Sequence, residues 1–472
     1  MMNRREHPVT ILFRSFKFLK SIVWGMIPFF VFTLKSMSVF TIFLLFIGLV
    51  SLTGIVATIN WYFTIFRIEQ DGLFVKKGVF TKKETFIQHD RVQSVSTHAT
   101  LLHQFFHIEQ VIVETAGGKV PEIDLYGVPV QDVSEIVMIL KGSERRVHQE
   151  ESKYTERTYH LTKKEMLLAG ITSGQIGILF TILMGLWSQV NDWIPASYSQ
   201  FIQNQAAHLS FYLWIMLAFV FLIISWVAAT IQFIITYYGF RIVSSDNKLY
   251  IANGLLNKKN VTLPQKKIQG ITIEEGVLRG LFGFASIKAE AVVSMKDSKV
   301  HTILLHPFIS KKKIPAFLQY VVPQYNLQPI EEKAPRHSLK RFLFVKVVLA
   351  FLIASIVTIW NPILFPIFLL VILALWQGYA CYRSAGFTIY EKQITLSYRK
   401  LAAYKTIILR KHIQSIGTEQ TIFQKRDQVG TIRCHILSGL VGVCVKVKNL
   451  DTGQNKQIIA WFEERKIKHE EC

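Results

Sequence analysis

The chain has 472 residues, half of them hydrophobic, with a net charge of +22 and a mean hydropathy of +0.31. That is too apolar for a soluble enzyme of this length and points to a membrane protein. Nucleic acid could explain the positive charge, but beside long apolar runs an anionic leaflet explains it better, and no nucleic-acid partner is expected.

The N-terminal tail carries Arg4, Arg5, Arg14, Lys17 and Lys20 and runs into apolar sequence without a small-x-small cleavage site. It reads as retained membrane structure rather than a signal peptide. A span needs about 20 apolar residues. Spans are predicted near 18–36, 39–63, 166–187, 209–236, 342–360 and 362–380. The first holds Pro28 between Lys20 and Lys35, so a shallow re-entrant segment is its alternative. Trp61, Tyr62, Trp187, Tyr237, Trp360 and Trp376 fall near span ends, where aromatic belts sit. Nearly all other Lys and Arg lie in 64–165, 240–341 and 381–472, whereas the 188–208 connector has none. The positive-inside rule therefore places the tail and all three large segments in the cytoplasm of a multi-pass protein in the cell membrane. No Asp or Glu falls in a span, and Lys346, one turn inside the fifth, can snorkel to the interface. Ion-coupled carriers usually need buried carboxylates, so the spans read as anchors.

Each large segment opens straight off a span with an aromatic: Phe66, Phe240 and Phe387. Short strand-like runs follow at 73–75, 249–251 and 394–398, then near 111–113, 287–289 and 443–447. Turn signals at Asp71-Gly72, Asp246-Asn247, Ala116-Gly117-Gly118 and Asp451-Thr452-Gly453 separate them. Closing helices are predicted over 129–141 and 307–322, the latter interrupted by Pro315, while the third segment ends in a short charged tail that does not read as one. Thr162 with Glu165 forms a capping box ahead of the third span.

One pattern occurs three times: Ile/Leu, three residues, Arg/Lys/His, Val/Ile, Gln, Ser/Gly. Its copies run from Ile87 through Arg91 and Gln93 to Ser94, from Leu263 through Lys267 and Gln269 to Gly270, and from Ile408 through His412 and Gln414 to Ser415. One unit, a membrane hairpin plus a small β-rich domain, is thus used three times. Its parts are 1–63, tail and hairpin 1; 64–152, domain 1; 153–238, hairpin 2; 239–330, domain 2; 331–382, hairpin 3; and 383–472, domain 3.

With its hairpins and this motif, the chain resembles the bacterial membrane-flanked domain family, now classed as bacterial pleckstrin-homology-like, and in particular its three-repeat membrane proteins of Gram-positive bacteria. The resemblance implies three cytoplasmic seven-stranded PH-like barrels, each with a C-terminal helix, displayed on about six transmembrane helices. It also implies a smaller membrane-flanked PH-like partner and a role in envelope protection or resistance to membrane-active bacteriocins. His412 departs from the basic position of the motif, which sets the third copy apart.

Several residues are candidates for contact. Arg91, Lys267 and His412 could touch a phosphate or partner, or could simply start a strand with Gln93, Gln269 and Gln414 satisfying backbone groups. Segment 66–165 has 14 basic and 15 acidic residues, 241–341 has 17 and 7, and 383–472 has 16 and 8. An anionic leaflet attracts each nearby basic residue by about 1 kcal/mol. Lys258, Lys259, Lys266, Lys311, Lys312, Lys313, Arg399, Lys400, Lys405, Arg410 and Lys411 are therefore candidate lipid contacts, while the near-neutral first domain would meet protein. His89, His98, His103 and His107 show no ligand spacing and read as surface or loop histidines. Cys381, Cys434, Cys444 and Cys472 form no C-x-x-C pair and read as free thiols. No P-loop, Ser elbow, H-E-x-x-H or dinucleotide fingerprint occurs, and no cofactor is expected. The chain reads as a non-enzymatic inner-leaflet scaffold or binding module, with a transporter or exporter accessory as the alternative.

Overall fold

The structure is a computed structural model that describes residues 3–33, 38–79, 81–115, 122–140, 158–173, 185, 211–245, 247–291, 302–437 and 442–470. The expected turns at 116–118 and Asp246, the 188–208 connector and most of the span at 166–187 lie outside the described residues. The chain divides into two compact units. The first holds 1–159 and 239–264; the second holds 160–238, 265–293 and 298–472.

The first unit opens with strand β1 (Arg4–Arg5) and helices α1 (Thr10–Thr33) and α2 (Val39–Tyr62). Repeat 1 follows: β2 (Ile65–Glu69), β3 (Gly72–Lys77), β4 (Lys83–Gln88), β5 (Val92–Ala99), helix α3 (Leu101–Phe105), β6 (Ile108–Thr115), β7 (Ile123–Pro129) and α4 (Val130–Leu140). Strands β1 to β4 pair in chain order, and β5, β6 and β7 pair among themselves. One core joins the two sheets: Phe66, Leu73, Val75 and Ile87 meet Val95, Val111, Val113 and Leu125, and Val133, Ile136 and Leu140 of α4 plug the end. This is the expected sandwich, with two-residue β1 adding the seventh strand. Gly78, at φ +106°, turns the chain between β3 and β4, where a Cβ would stand 2.0 Å from the Thr81 carbonyl oxygen. Gly254 repeats the arrangement in repeat 2.

Beyond the short strand β8 (Tyr159–His160) come α5 (Lys163–Ile171), with the expected capping box on Thr162, and α6 (Phe211–Tyr237). Repeat 2 has β9 (Arg241–Ser245), β10 (Lys248–Asn253) and β11 (Lys258–Pro264) in the first unit. The second unit has its β12 (Ile268–Glu275), α7 (Val277–Leu281), β13 (Phe284–Ala291), β14 (Thr302–Ser310) and α8 (Ile314–Val321). The helix expected from 307 starts only at Ile314. Pro315 sits in its first turn, where the missing N–H costs nothing, so it begins this helix instead of interrupting it.

Repeat 3 follows β15 (Glu332–Lys333), α9 (Leu339–Trp360) and α10 (Leu369–Ser384). It comprises β16 (Gly386–Tyr390), β17 (Gln393–Arg399), β18 (Ala403–Leu409), β19 (Ile413–Glu419), α11 (Ile422–Arg426), β20 (Val429–Ile436), β21 (Val443–Asp451) and α12 (Thr452–Glu470). The charged tail is therefore a closing helix after all. Among its described side chains, core contact is made by Ile458, Trp461 and Phe462, which join Phe387, Ile394, Leu396, Ile432 and Val447. Apolar residues of this charged stretch run consecutively from Ile458 to Phe462 instead of recurring every three or four positions, so they do not read as an amphipathic stripe.

Among the described residues, four helical segments are long and apolar enough to cross a membrane: Phe43–Tyr62, Ala218–Tyr237, Arg336–Trp360 and Phe365–Ser384. Lys346, expected to snorkel to the interface, donates its ammonium to Cys381 Sγ at 3.0 Å.

Sheets do not stop at repeat borders. Strand β5 of repeat 1 pairs with β11 of repeat 2, and β12 of repeat 2 pairs with β18 of repeat 3. Both junctions use one register relative to the repeated motif. Thr97, three residues after Ser94, faces Asn260, three before Leu263. Ile273, three after Gly270, faces Lys405, three before Ile408. Side chains reinforce the backbone ladders: Asn260 Nδ2 donates to Thr97 Oγ1 at 3.1 Å, and the Thr272 and Thr406 hydroxyls lie 3.3 Å apart.

Candidate functional site

The repeated motif has a local structural explanation. In each copy the basic residue ends a 3-10 turn: His89–Arg91, Gln265–Lys267 and Arg410–His412. A β-bulge follows at once, between Val92 and Ser94, Ile268 and Gly270, and Ile413 and Ser415, so Gln93, Gln269 and Gln414 are the extra residues. A bulge increases local twist and re-aims a strand. The three basic residues do not share surroundings. Arg91 is exposed and borders a 360 Å³ groove with Thr85, Phe86, Ile87, Gln88, Thr115 and Glu122. Lys267 is half-buried, and the Gln269 amide donates to its carbonyl oxygen at 3.4 Å. His412 Nδ1 lies 3.3 Å from the Tyr325 hydroxyl, which donates to the Ile268 carbonyl oxygen.

The basic candidates separate in the same way. Lys258 and Lys259 project from β11 opposite Ala99 and His98. Lys311 and Lys405 both reach the Glu275 carboxylate, at 2.7 and 3.6 Å. Arg399 Nε donates to Ser384 Oγ, and the Arg410 guanidinium stacks 4.4 Å from the Trp461 ring. Lys266, Lys312, Lys313, Lys400 and Lys411 are exposed.

Two of the histidines are not surface residues. His103 is buried in α3, stacked on Phe13 of α1 at 4.3 Å, and its Nε2 lies 2.9 Å from the Tyr126 carbonyl oxygen. That oxygen can only accept, so Nε2 carries the proton and the Thr100 hydroxyl donates to Nδ1. His98 lies largely buried in β5, and burial, with Lys259 opposite, pushes its pKa down to about 4. The unfolded chain takes up this proton near pH 6.5 and the folded chain only near 4, so stability present above 6.5 is lost as pH falls between the two. The expected loss is on the order of 2–4 kcal/mol, centred on the β5–β11 junction. Hydrogen exchange of β5 and β11 at pH 7 and 4.5, each taken as protection relative to the intrinsic amide rate at that pH, checks this: protection falls on acidification, and His98→Gln flattens the dependence.

A feature the sequence reading missed lies seven residues beyond each motif. The short helices α3, α7 and α11 begin at Leu101, Val277 and Ile422, seven after Ser94, Gly270 and Ser415. Each turns large apolar side chains outward. Phe105 is 75% exposed beside Leu101 and Leu102, Leu281 is 76% exposed beside Val277, Leu278 and Phe282, and Ile422 is 88% exposed beside Phe423. Each helix is pinned from behind by its third residue: His103 to the Tyr126 carbonyl, Arg279 to that of Pro307 at 3.0 Å, and Gln424 to Asn449 Oδ1 at 2.7 Å.

Each short helix also contacts a helix of the pair that precedes its repeat. His103 stacks on Phe13 of α1. Arg279 donates to the Ala169 carbonyl of α5 at 3.0 Å and lies over Phe233 of α6 at 5.4 Å. Arg341 of α9 donates to the Phe423 carbonyl at 2.8 Å and pairs with Asp427, which also holds Lys340 at 2.9 Å. Basic residues flank the second and third helices: Lys312 and Lys313 follow Lys311, whose ammonium lies 3.5 Å from the Gly280 carbonyl, and Lys425 and Arg426 belong to α11 itself.

The segment leading into α1 hides an ion pair that sequence reasoning also missed. Glu6 is fully buried and accepts from Arg14 Nη2 at 2.7 Å and from the Tyr126 backbone N–H at 2.9 Å. Its backbone oxygen accepts from Trp61 Nε1 at 2.7 Å. Burial raises the Glu6 pKa despite Arg14 beside it. Among the described residues, no group of three or more His, Cys, Asp or Glu is placed to hold a metal.

Residues 25–143, 177–321 and 340–466 each match the sequence model of a family described as Bacterial PH domain. The chain is also similar to YdbT, a transmembrane protein of Bacillus subtilis strain 168, at 29% identity over 97% of its own length and 98% of that protein's.

Proposed function

Because this chain belongs to the bacterial PH domain family, we propose that it is a membrane-anchored scaffold whose repeats rest on the leaflet from which their hairpins emerge. The observation that carries this reading is the set of outward apolar side chains on α3, α7 and α11, each at the foot of its own hairpin. A short apolar face beside basic residues, held at the end of a span, suits the boundary between headgroups and acyl chains. Burying one Leu or Phe there is worth about 1.5–3 kcal/mol. Tethering by the hairpins keeps the face at the bilayer at all times.

This reading takes six spans in three hairpins, with the tail and repeats cytoplasmic, in keeping with the distribution of Lys and Arg. Mechanism is binding rather than catalysis. Anionic lipid contact falls to Lys266, Lys312, Lys313, Lys400 and Lys411, because Lys311, Arg399, Lys405 and Arg410 already serve protein partners. The near-neutral first repeat carries an apolar face too, which argues for lipid contact by all three repeats and against a purely protein-facing first domain. Envelope protection, which the resemblance implies, would follow from this occupation of the leaflet. The testing experiment is depth measurement at the three faces: fluorophores placed at Phe105, Leu281 and Ile422 are expected to be quenched from within the bilayer.

A further inference from the structure

We propose that copies of this chain join head to tail through the two strand edges that the repeat series leaves open. The proposal stands on the sheets and does not rest on the leaflet reading. Within the chain, the β5-type strand of one repeat pairs with the β4-type strand of the next, twice, in one register. At the start of the series β4 is the last strand of its sheet, and at the end β19 is the last strand of its own. These two edges are the missing halves of one further junction. A second copy supplies both, and the hairpin attached to each repeat brings the next repeat into the same membrane.

Burial sets β19 apart from its counterparts. Gly270, Ile271, Thr272 and Ile273 of β12 are all buried in their junction, as are Ser94 to Thr97 of β5. In β19 Ser415, Gly417, Thr418 and Glu419 are exposed. On the other side, Phe86 of β4 is 44% exposed beside the 360 Å³ groove that Arg91 and Glu122 border. An open edge offers a row of backbone donors and acceptors to another strand. Carrying the internal register across places Ser415 opposite Ile87, Gly417 opposite Thr85 and Glu419 opposite Lys83. The Gly417–Thr85 pair then corresponds to Thr272 and Thr406, whose hydroxyls meet at 3.3 Å. Such an interface is heterologous, so it closes into a ring or continues as a row.

Disulfide trapping in native membranes tests the register directly. Two differently tagged full-length chains, one with Thr85→Cys and one with Gly417→Cys, are co-expressed and oxidised in isolated membranes. Nothing lies within 4 Å of a Cβ added at Gly417, so the substitution fits the folded chain. The expected product is a mixed two-chain disulfide, absent when either variant meets the wild type, with a ladder of multimers from the double variant. Replacing Gly417→Cys by Ile416→Cys should cut the product roughly tenfold, because a one-residue step turns the side chain to the other face. No mixed product from variants present at wild-type levels, equal trapping at 416 and 417, or a smaller protein trapped at position 85 in place of a second copy would each overturn the proposal.

Discussion

Replacing Arg14 by Leu is expected to destabilise the first repeat and its hairpin by about 3–5 kcal/mol, because it strands a fully buried carboxylate. Glu6 has three anchors in the folded chain: the Arg14 guanidinium, the Tyr126 N–H and, through its backbone oxygen, Trp61 Nε1. Of these three, only the first carries charge, and it outweighs the other cation acting on Glu6, Lys77. Without Arg14, the neutral form of Glu6 is favoured further in the buried site. Its folded pKa already lies above the ordinary value, with burial the leading cause, so the neutral form favours folding. The stability Glu6 contributes is present below its unfolded pKa and is lost as pH rises through the folded one. In Arg14→Leu the damage therefore grows with pH through the acid range and reaches its full size near neutrality. Removing both charges in Arg14→Leu/Glu6→Leu should cost less than Arg14→Leu alone, since the cost lies in the unpaired charge. Thermal unfolding of the full chain in detergent, from pH 5 to 8, measures both effects.

Trp461→Ala is expected to cost about 3–5 kcal/mol and to open the third repeat. Trp461 is 8% exposed and, with fully buried Ile458, seals a core built from β16 to β21. The substitution also removes the indole N–H donated to the Glu391 carbonyl at 3.2 Å and the surface on which Arg410 stacks. Trp461→Phe keeps most of the apolar contact and loses one hydrogen bond, so about 1 kcal/mol is expected. Near-ultraviolet circular dichroism with thermal unfolding separates the two variants. If both behaved as the wild type, α12 would not be the closing element of this repeat.

The long apolar helices, the strand runs and the repeated motif were legible because each rests on local pattern: apolar length, alternation, and a basic-Val/Ile-Gln step that folds as a turn and a bulge. Which edges pair was not legible. Nothing local in β5 distinguishes a partner in its own repeat from β11, some 160 residues on; the open backbone edge makes that choice. Glu6 was visible only as one letter of a charged tail, and its burial depends on Tyr126 and Trp61, far away in sequence. The sum of Lys and Arg likewise hid the use of Lys311 and Lys405 by a single carboxylate, Glu275. The short helices were legible in principle. Leu101-Leu102, Val277-Leu278 and Ile422-Phe423 stand at one fixed distance from the motif, but apolar pairs after a strand are ordinarily core, and here they point outward. The third copy carries Arg426 and Asp427 where the others have apolar residues, which blurred the pattern.

Depth-dependent quenching tests most directly whether the repeats rest on the leaflet. Single cysteines at Phe105, Leu281 and Ile422, labelled with a fluorophore in the full chain in lipid nanodiscs, are read against quenchers carried at defined depths on the acyl chains and against aqueous iodide. The account predicts strong quenching by shallow acyl-chain quenchers and weak quenching by iodide at all three sites, with the reverse at Lys446 on β21 as a control. Iodide quenching at Phe105, Leu281 and Ile422 equal to that at Lys446 would contradict it.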